Sequence, residues 1–428
     1  MVPSHSLSQH EQDDFRVRAA RMNAGMGVLL AATSYKGGVL QLAAMGLFGL
    51  SASEYGSLVA ILVAVAFVEP LGLYLQHRFG VLRTLAHAYR ARTLLLTVLA
   101  LLPLAVDAGH RREAVWALLV VVPLLSALHV IGFNACWPPV MKLATSGPQR
   151  LRTVALVRAS STVVVTLFSL ALIAAGSAGF GLPYALICAL LAAYSLTTEY
   201  HLSRISRYIP DVPEPRPSYV RSLVFEVREI WGAEPTRRFL LLSFLLGLLV
   251  LPLQMFYAKE VIGLPQAQLV YLFAAGAGVG ILTNLLLSRA GKRREPAEIL
   301  AACLVGLGAN MVLMAAFALA VPKSTALPLQ LGHLALLLAT NVFVSGIGST
   351  WYSAALEAAP SAQAGTALMT FGLAFDVATL FAAAVGGQVI GHAGSGGPAV
   401  VTYLLFIATV AFGVRMLAVR SNSLGASC

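Results

Sequence analysis

The chain has 428 residues, of which 58% are hydrophobic and only 11% charged, with a net charge of +11. Soluble domains carry about a quarter charged residues, so this composition excludes a water-soluble globule and indicates a membrane setting. The basic excess lies in alternate loops and forms no stripe interleaved with aromatics, which excludes a nucleic-acid surface.

Apolar runs of about 20 residues recur from end to end, each long enough to cross the hydrocarbon as a helix. The expected architecture is an all-α membrane protein of about twelve transmembrane helices, six in each half. Residues 1–22 are polar, with Glu11, Asp13 and Asp14, and read as a cytoplasmic tail, not a cleavable signal. An N-terminal bundle over 23–203 follows, with spans near 23–47, 57–77, 86–106, 114–138, 153–176 and 182–203.

The first span carries Lys36 about ten residues from either end, too deep to reach headgroups comfortably. A charge at that depth costs about 2.5–3.5 kcal/mol and needs a partner or a watery cavity. Gly37 and Gly38 beside it permit close backbone approach or a local helix break. In the second span Glu69 precedes Pro70, so a kink is expected there, with Glu69 either titrating or pairing with Arg158 of the fifth span. Arg90 and Arg92 enter the third span by one or two turns and are expected to snorkel to headgroups. The fourth span offers His129 and Asn134, able to hydrogen-bond a substrate or to join helices, and Trp137, a candidate interface anchor.

A linker at 204–237 divides the chain nearly in half. Its first part, PDVPEPRP, cannot hold a helix, because proline removes backbone donors and biases its neighbours to extended forms. Its second part, YVRSLVFEVREIW, places Val220, Leu223, Val224, Val227 and Trp231 on one helical face. That pattern fits a helix lying on the cytoplasmic membrane surface, or one packed on the protein's underside.

The C-terminal bundle covers 238–418, with spans near 238–258, 268–288, 297–321, 329–354, 365–390 and 397–418, and a tail at 419–428. Gln254 and Tyr257 lie near the outer end of its first span. GAGVG at 276–280 has the small-xxx-small spacing of tight helix packing, expected between the halves. Asn341 and Trp351 belong to the tenth span. Asp376, near the centre of the eleventh, has no basic residue in its own span, so it needs a partner helix or a proton.

Orientation follows from the basic residues. One side receives Arg16, Arg18, Arg21, Arg78, Arg83, Lys142, Arg150 and the basic residues of 204–237 and 289–294, the other only Arg111, Arg112, Lys259 and Lys323. The first side is therefore cytoplasmic, and an even number of spans places both termini there. The four cysteines, Cys136, Cys188, Cys303 and Cys428, have no zinc-like spacing and predict no disulfide framework.

The halves echo each other. GLSASEYGSLV precedes the second span and GLPQAQLVYLF the eighth, and each span ends in a basic turn, HRFGVLR at 77–83 and SRAGKRR at 288–294. On these features the chain resembles the major facilitator superfamily over essentially its whole length. That family's turn reads Gly-x-Leu-x-Asp-Arg-x-Gly-Arg-Arg. The second copy here keeps Arg289, Gly291, Lys292 and Arg293, with Ser288 at the acidic position; the first keeps Arg78 and Gly80, with His77 replacing the acid. The resemblance implies two pseudo-symmetric six-helix bundles and alternating access around a central site. It places Lys36 on a cavity-lining helix. By residue type and position within spans, His129, Asn134, Asn341, Gln254 and Tyr257 are further candidate substrate contacts or helix-joining groups, and Glu69, Arg158 and Asp376 are candidates for proton coupling or gating, with structural pairing as the alternative. The family's drug exporters carry an arginine in the fourth span and a Gly-Pro-rich fifth span; here the fourth offers His129 and Gly132, and the fifth lacks that pattern.

The function expected is proton-coupled export of a drug-like or amphipathic metabolite, with import of a small anionic nutrient as the alternative. A sensor or membrane enzyme on the same fold is more distant, since HExxH, GxSxG and clustered intramembrane histidines are all missing from the sequence. No GxxxxGK[ST] loop is present, so energy comes from a gradient or from the substrate itself. No cofactor or metal is implied. The partners are the lipid bilayer, a small-molecule substrate and a proton or other coupling ion, and the setting is a monomer in the inner (plasma) membrane.

Overall fold

Hydrocarbon supplies no hydrogen-bond partners, so a backbone crossing it must satisfy its own N–H and C=O groups, and a helix does so within one segment. The computed structural model describes residues 7–24, 40, 42–50, 52–145, 147–175, 181–209, 219–249, 257–264, 266–291, 294–321, 326–360, 363–392 and 397–422; these are helices and short connections, with no strand among them.

The first half contains α1 (Gln9–Ala24), α2 (Ala52–Ala64), α3 (Glu69–Phe79), α4 (Val81–Asp107), α5 (Arg111–His129), α6 (Trp137–Ala144), α7 (Gly147–Ala175) and α8 (Gly181–Ile205). After the linker come α9 (Tyr219–Gly232), α10 (Glu234–Leu248), α11 (Gln266–Ala290), α12 (Pro296–Ala320), α13 (Leu327–Ala358), α14 (Ala364–His392) and α15 (Gly397–Asn422). Among the described residues, five stretches are long and apolar enough to cross a membrane: Val81–Asp107, Arg111–Ala144, Tyr184–Ile205, Pro296–Ala320 and Leu327–Ala358. Each coincides with an expected span.

The chain forms two compact units. One comprises Met1–Ser146, Leu156–Glu226 and Ser361–Met369; the other comprises Gly147–Ala155, Val227–Pro360 and Thr370–Cys428. Within the first unit, α4 packs along both α5 and α8. Within the second, α12 packs along both α13 and α15.

Part of the polar N-terminal stretch is helical and held down. In α1, Phe15, Ala19, Ala20, Met22 and Asn23 are buried. Phe15 stacks on Trp137 at 5.9 Å, and the Ser160 hydroxyl donates to the Ala20 carbonyl at 2.9 Å. On its outer side Arg18 pairs with Asp14 at 2.6 Å and holds that carboxyl below the usual carboxylate range.

The spans are not uniform α-helix. The break expected at Pro70 is present as a 3₁₀ turn, Val65–Val68, between α2 and α3. Proline blocks the regular i−4 pattern at its own position and a tighter turn absorbs the change. The fourth span likewise holds a π turn, Val130–Ala135, between α5 and α6, just before Pro138 and Pro139. The two irregular segments adjoin. A Cβ on Gly72 of α3 would stand 2.6 Å from Ala135 Cβ and 2.9 Å from the Ile131 carbonyl, so only glycine allows this approach.

The basic turn between α3 and α4 reverses on Gly80, at φ 94° and ψ 156°, a region open almost solely to glycine. Gly80→Ala should therefore cost about 1–3 kcal/mol. Thermal unfolding of purified protein in detergent checks this, and an unchanged midpoint would refute the strained turn.

Candidate functional site

In the first unit, polar side chains gather around the helix breaks. Glu69 opens α3 directly after the 3₁₀ turn and is buried, at 7% exposure, inside an expected span. Gly72, one turn further on, packs against the π turn that carries Asn134. His129 is the last residue of α5 before that turn, and its ring stacks on Phe133 at 5.2 Å. Phe133 stacks in turn on Trp137 at 6.1 Å. Trp137 is fully buried against Phe15 and Phe133, so it is a packing residue and not the lipid-facing anchor expected of it.

The third span departs from expectation. Arg90 does face outward and forms an exposed ion pair with Glu199 of α8. Arg92 does not snorkel: it is 5% exposed and points into the unit. Its Nη2 donates to Ser195 Oγ at 3.0 Å, and its guanidinium lies 4.1 Å over the Tyr89 ring. The reason is register. Gly132 faces Ala88, so the antiparallel helices α4 and α5 bring Arg92 and His129 to the same level one turn away. Arg92 Nε and His129 Nδ1 are buried and find no hydrogen-bond partner in this cluster. Neither Tyr89 nor Ser195 stands out from its apolar run; pairing the small residues Ala88 and Gly132 across the hairpin would have pointed to Tyr89.

In the second unit the polar residues are mostly joined to one another. Gly276 and Gly280 of α11 pack on Asn341 and Ser345 of α13. Their small-xxx-small spacing thus serves packing within this unit, and the expectation of packing between halves is corrected. Asn341 also donates to the Leu337 carbonyl at 3.2 Å. Trp351 Nε1 donates to Ser243 Oγ at 3.0 Å, and its ring lies 5.6 Å from Phe375. Asp376 follows Phe375 on α14 and is half-buried.

Tyr257 is fully buried, and its hydroxyl stands 2.7 Å from His333 Nδ1. His333 Nε2 stands 3.0 Å from the Val321 carbonyl, an acceptor only. In the neutral ring Nε2 therefore carries the hydrogen, and Nδ1 accepts from the tyrosine. This pair ties the π turn Tyr257–Ile262 to α13.

Of the turn residues, Arg78 Nη1 donates to the Tyr74 hydroxyl at 3.0 Å, and His77 lies 6.3 Å from the Tyr219 ring. Ser288 Oγ donates to the Leu285 carbonyl at 2.7 Å, Arg289 is exposed, and Gly291 packs on Leu151. Arg158 of α7 is half-buried, its carbonyl accepting from Thr162 at 2.7 Å. Lys36, Gln254, Lys292 and Arg293 lie outside the described residues. Among the described residues no cluster of His, Cys, Asp and Glu could hold a metal ion.

The family model described as Major Facilitator Superfamily matches residues 24–383. The chain belongs to the major facilitator superfamily. No curated protein matches it by sequence. Similar solved structures include a bacterial homologue of the iron transporter ferroportin in an outward-facing state, 12% identical, covering 96% of this chain and 99% of that one, with a TM-score of 0.72. The proton:xylose symporter XylE bound to 6-bromo-6-deoxy-D-glucose is 14% identical over 96% and 95%, with a TM-score of 0.70. The human organic anion transporter MFSD10 (TETRAN) is 15% identical over 98% and 100%, with a TM-score of 0.62. At these identities the likeness is one of fold. As a superfamily member this is a multi-pass membrane protein with the twelve-helix fold of a secondary transporter of small molecules, and not an enzyme.

Tyr257→Phe strands His333 Nδ1 and should lower stability by about 1–3 kcal/mol. A double-mutant cycle with His333→Leu should show strong non-additivity in thermal midpoint. A change in transport KM with no loss of stability would instead place Tyr257 against substrate.

Proposed function

We propose that this transporter works by alternating access, its bundles at 23–203 and 238–418 enclosing a central site, and exports a drug-like or amphipathic metabolite in exchange for protons. Glu69 carries the reading: a carboxyl buried inside a span, at a helix break, one turn from a π turn bearing Asn134. Intramembrane acids are costly and mark proton and substrate pathways, and helix discontinuities mark binding sites in transporters. A proton removes the charge that would otherwise resist movement between environments. Asp376, half-buried on α14, is proposed as the second coupling group, with Arg158 in gating.

Lys36, His129, Asn134, Asn341 and Gln254 are proposed as substrate contacts, whereas Tyr257, fully buried and bonded to His333, is proposed to hold its own turn. The buried Arg92 adds a second intramembrane cation to Lys36, which favours a substrate bearing an acidic group. We further propose a monomer in the plasma membrane, with both termini cytoplasmic; the basic loops support that orientation.

Accumulation of fluorescent amphipathic dyes in inverted membrane vesicles tests this. Uptake should rise when the vesicle interior is acidified and collapse with a protonophore. Glu69→Gln and Asp376→Asn should lower gradient-driven uptake by about tenfold or more, as expected for groups that must gain and lose a proton. Lys36→Ala should raise KM for acidic dyes more than for neutral ones. Uptake indifferent to the pH gradient in all variants would overturn proton coupling.

A further inference from the structure

Helix α9 is built inside out for a helix in water. It buries Glu226, at 6% exposure, together with Ile230, while Val220, Val224 and Trp231 are 70%, 63% and 60% exposed. At 100° per residue these three fall on one stripe, and Arg221 and Arg228, both exposed, run along one edge of it. The opposite face is fastened to protein. The Tyr219 hydroxyl donates to the Pro70 carbonyl at 2.7 Å, and its ring packs on Tyr74 at 5.3 Å. Glu226 accepts a hydrogen bond from Thr366.

Depth decides what covers the stripe. Tyr219 meets α3 at Pro70 and Tyr74, ten and six residues before the Gly80 turn, about 15 Å and 9 Å along the helix axis. The start of α9 is therefore held within the cytoplasmic half of that span, beside the stretch of α3 whose Leu71 and Phe79 are exposed large apolar side chains. The apolar stripe continues a lipid-facing surface instead of facing water.

We propose that α9 lies in the cytoplasmic leaflet, with Val220, Val224 and Trp231 among acyl chains and Arg221 and Arg228 binding the headgroups of anionic phospholipid. The lipid-held helix then tethers α3 through Tyr219 and the start of α14 through Glu226, making the cytoplasmic end of the first unit sensitive to leaflet charge. Basic residues beside an interfacial helix bind anionic surfaces in this way. The inference concerns lipid alone and stands whatever the substrate or coupling ion.

The test uses the full chain in nanodiscs of phosphatidylcholine with and without phosphatidylglycerol. Brominated lipid should quench a fluorescence component that Trp231→Phe removes. Phosphatidylglycerol should raise the thermal midpoint of the wild type and bind it about fivefold more tightly for each arginine. Arg221→Gln/Arg228→Gln should abolish that gain while melting as the wild type does in phosphatidylcholine alone. Tyr219→Phe should keep the quenching but lose the gain in midpoint, since the helix remains in the leaflet without holding α3. Equal stabilisation of the double-arginine variant would overturn the proposal. So would Trp231 shielded from brominated lipid, including shielding by a second copy revealed as a dimer in light scattering.

Discussion

A polar group in hydrocarbon must find its partner inside the protein, and this constraint shapes the spans residue by residue. Most hydroxyls in them meet it locally. Thr84, Thr162, Thr166, Thr283 and Ser243 each donate to the carbonyl four residues earlier, so these side chains add no unmet demand. Others are met across helices, as in Ser349 with Asn284 at 2.6 Å, Asn310 with Thr340 at 2.9 Å, and Trp351 with Ser243 at 3.0 Å. Among the described residues, Arg92 Nε and His129 Nδ1 are buried polar atoms that no such bond meets, as are Ser353 Oγ and the Tyr403 hydroxyl of the second unit. Several polar residues of the second unit join helices, and several of the first lie beside its helix breaks.

Helices in lipid gain little from hiding apolar surface, because acyl chains are as apolar as leucine; close packing has to replace that drive. Glycine provides it at defined places. Gly72 admits the π turn, Gly132 admits Ala88, and Gly247 brings α10 against the Phe375 carbonyl of α14. The Gly247 contact joins packing to the site, since it fixes the stretch of α14 that carries Asp376. Thr379, one turn beyond Phe375, donates to the Gly247 carbonyl at 3.2 Å and secures the same crossing.

The spans were legible because apolar runs of membrane length leave few alternatives, and the Pro70 break was legible because proline acts on its own helix. What depends on a neighbouring helix was not. Arg92 reads as a snorkelling residue from its distance to the span's end, yet its direction is set by the Ala88–Gly132 contact and by Ser195 on α8. Nothing in the pattern singles out His333, although it holds the Tyr257 turn. GAGVG correctly signalled close packing, but spacing on one helix does not name the helix it meets. In α9 the hydrophobic face was legible while its target was not. A membrane surface and a protein underside ask for the same periodicity, and only the burial of Glu226 and Ile230 separates them.

The basic turn after α3 shows how a lost charge can be replaced without another charge. Where the family's turn has an acid, this chain has His77, and its neighbour Arg78 bonds the phenol of Tyr74. The Tyr74 ring packs on Tyr219, which bonds the backbone at Pro70. The arginine, two aromatic rings and a carbonyl thus form one connected path from the turn to the helix break beside Glu69. An ion pair at the membrane surface weakens with salt and with protonation of its acid. A phenol–carbonyl bond backed by ring packing holds no ion pair to screen, and its apolar body is stable against the bilayer. The latch on α3 therefore responds chiefly to whatever holds α9 in place.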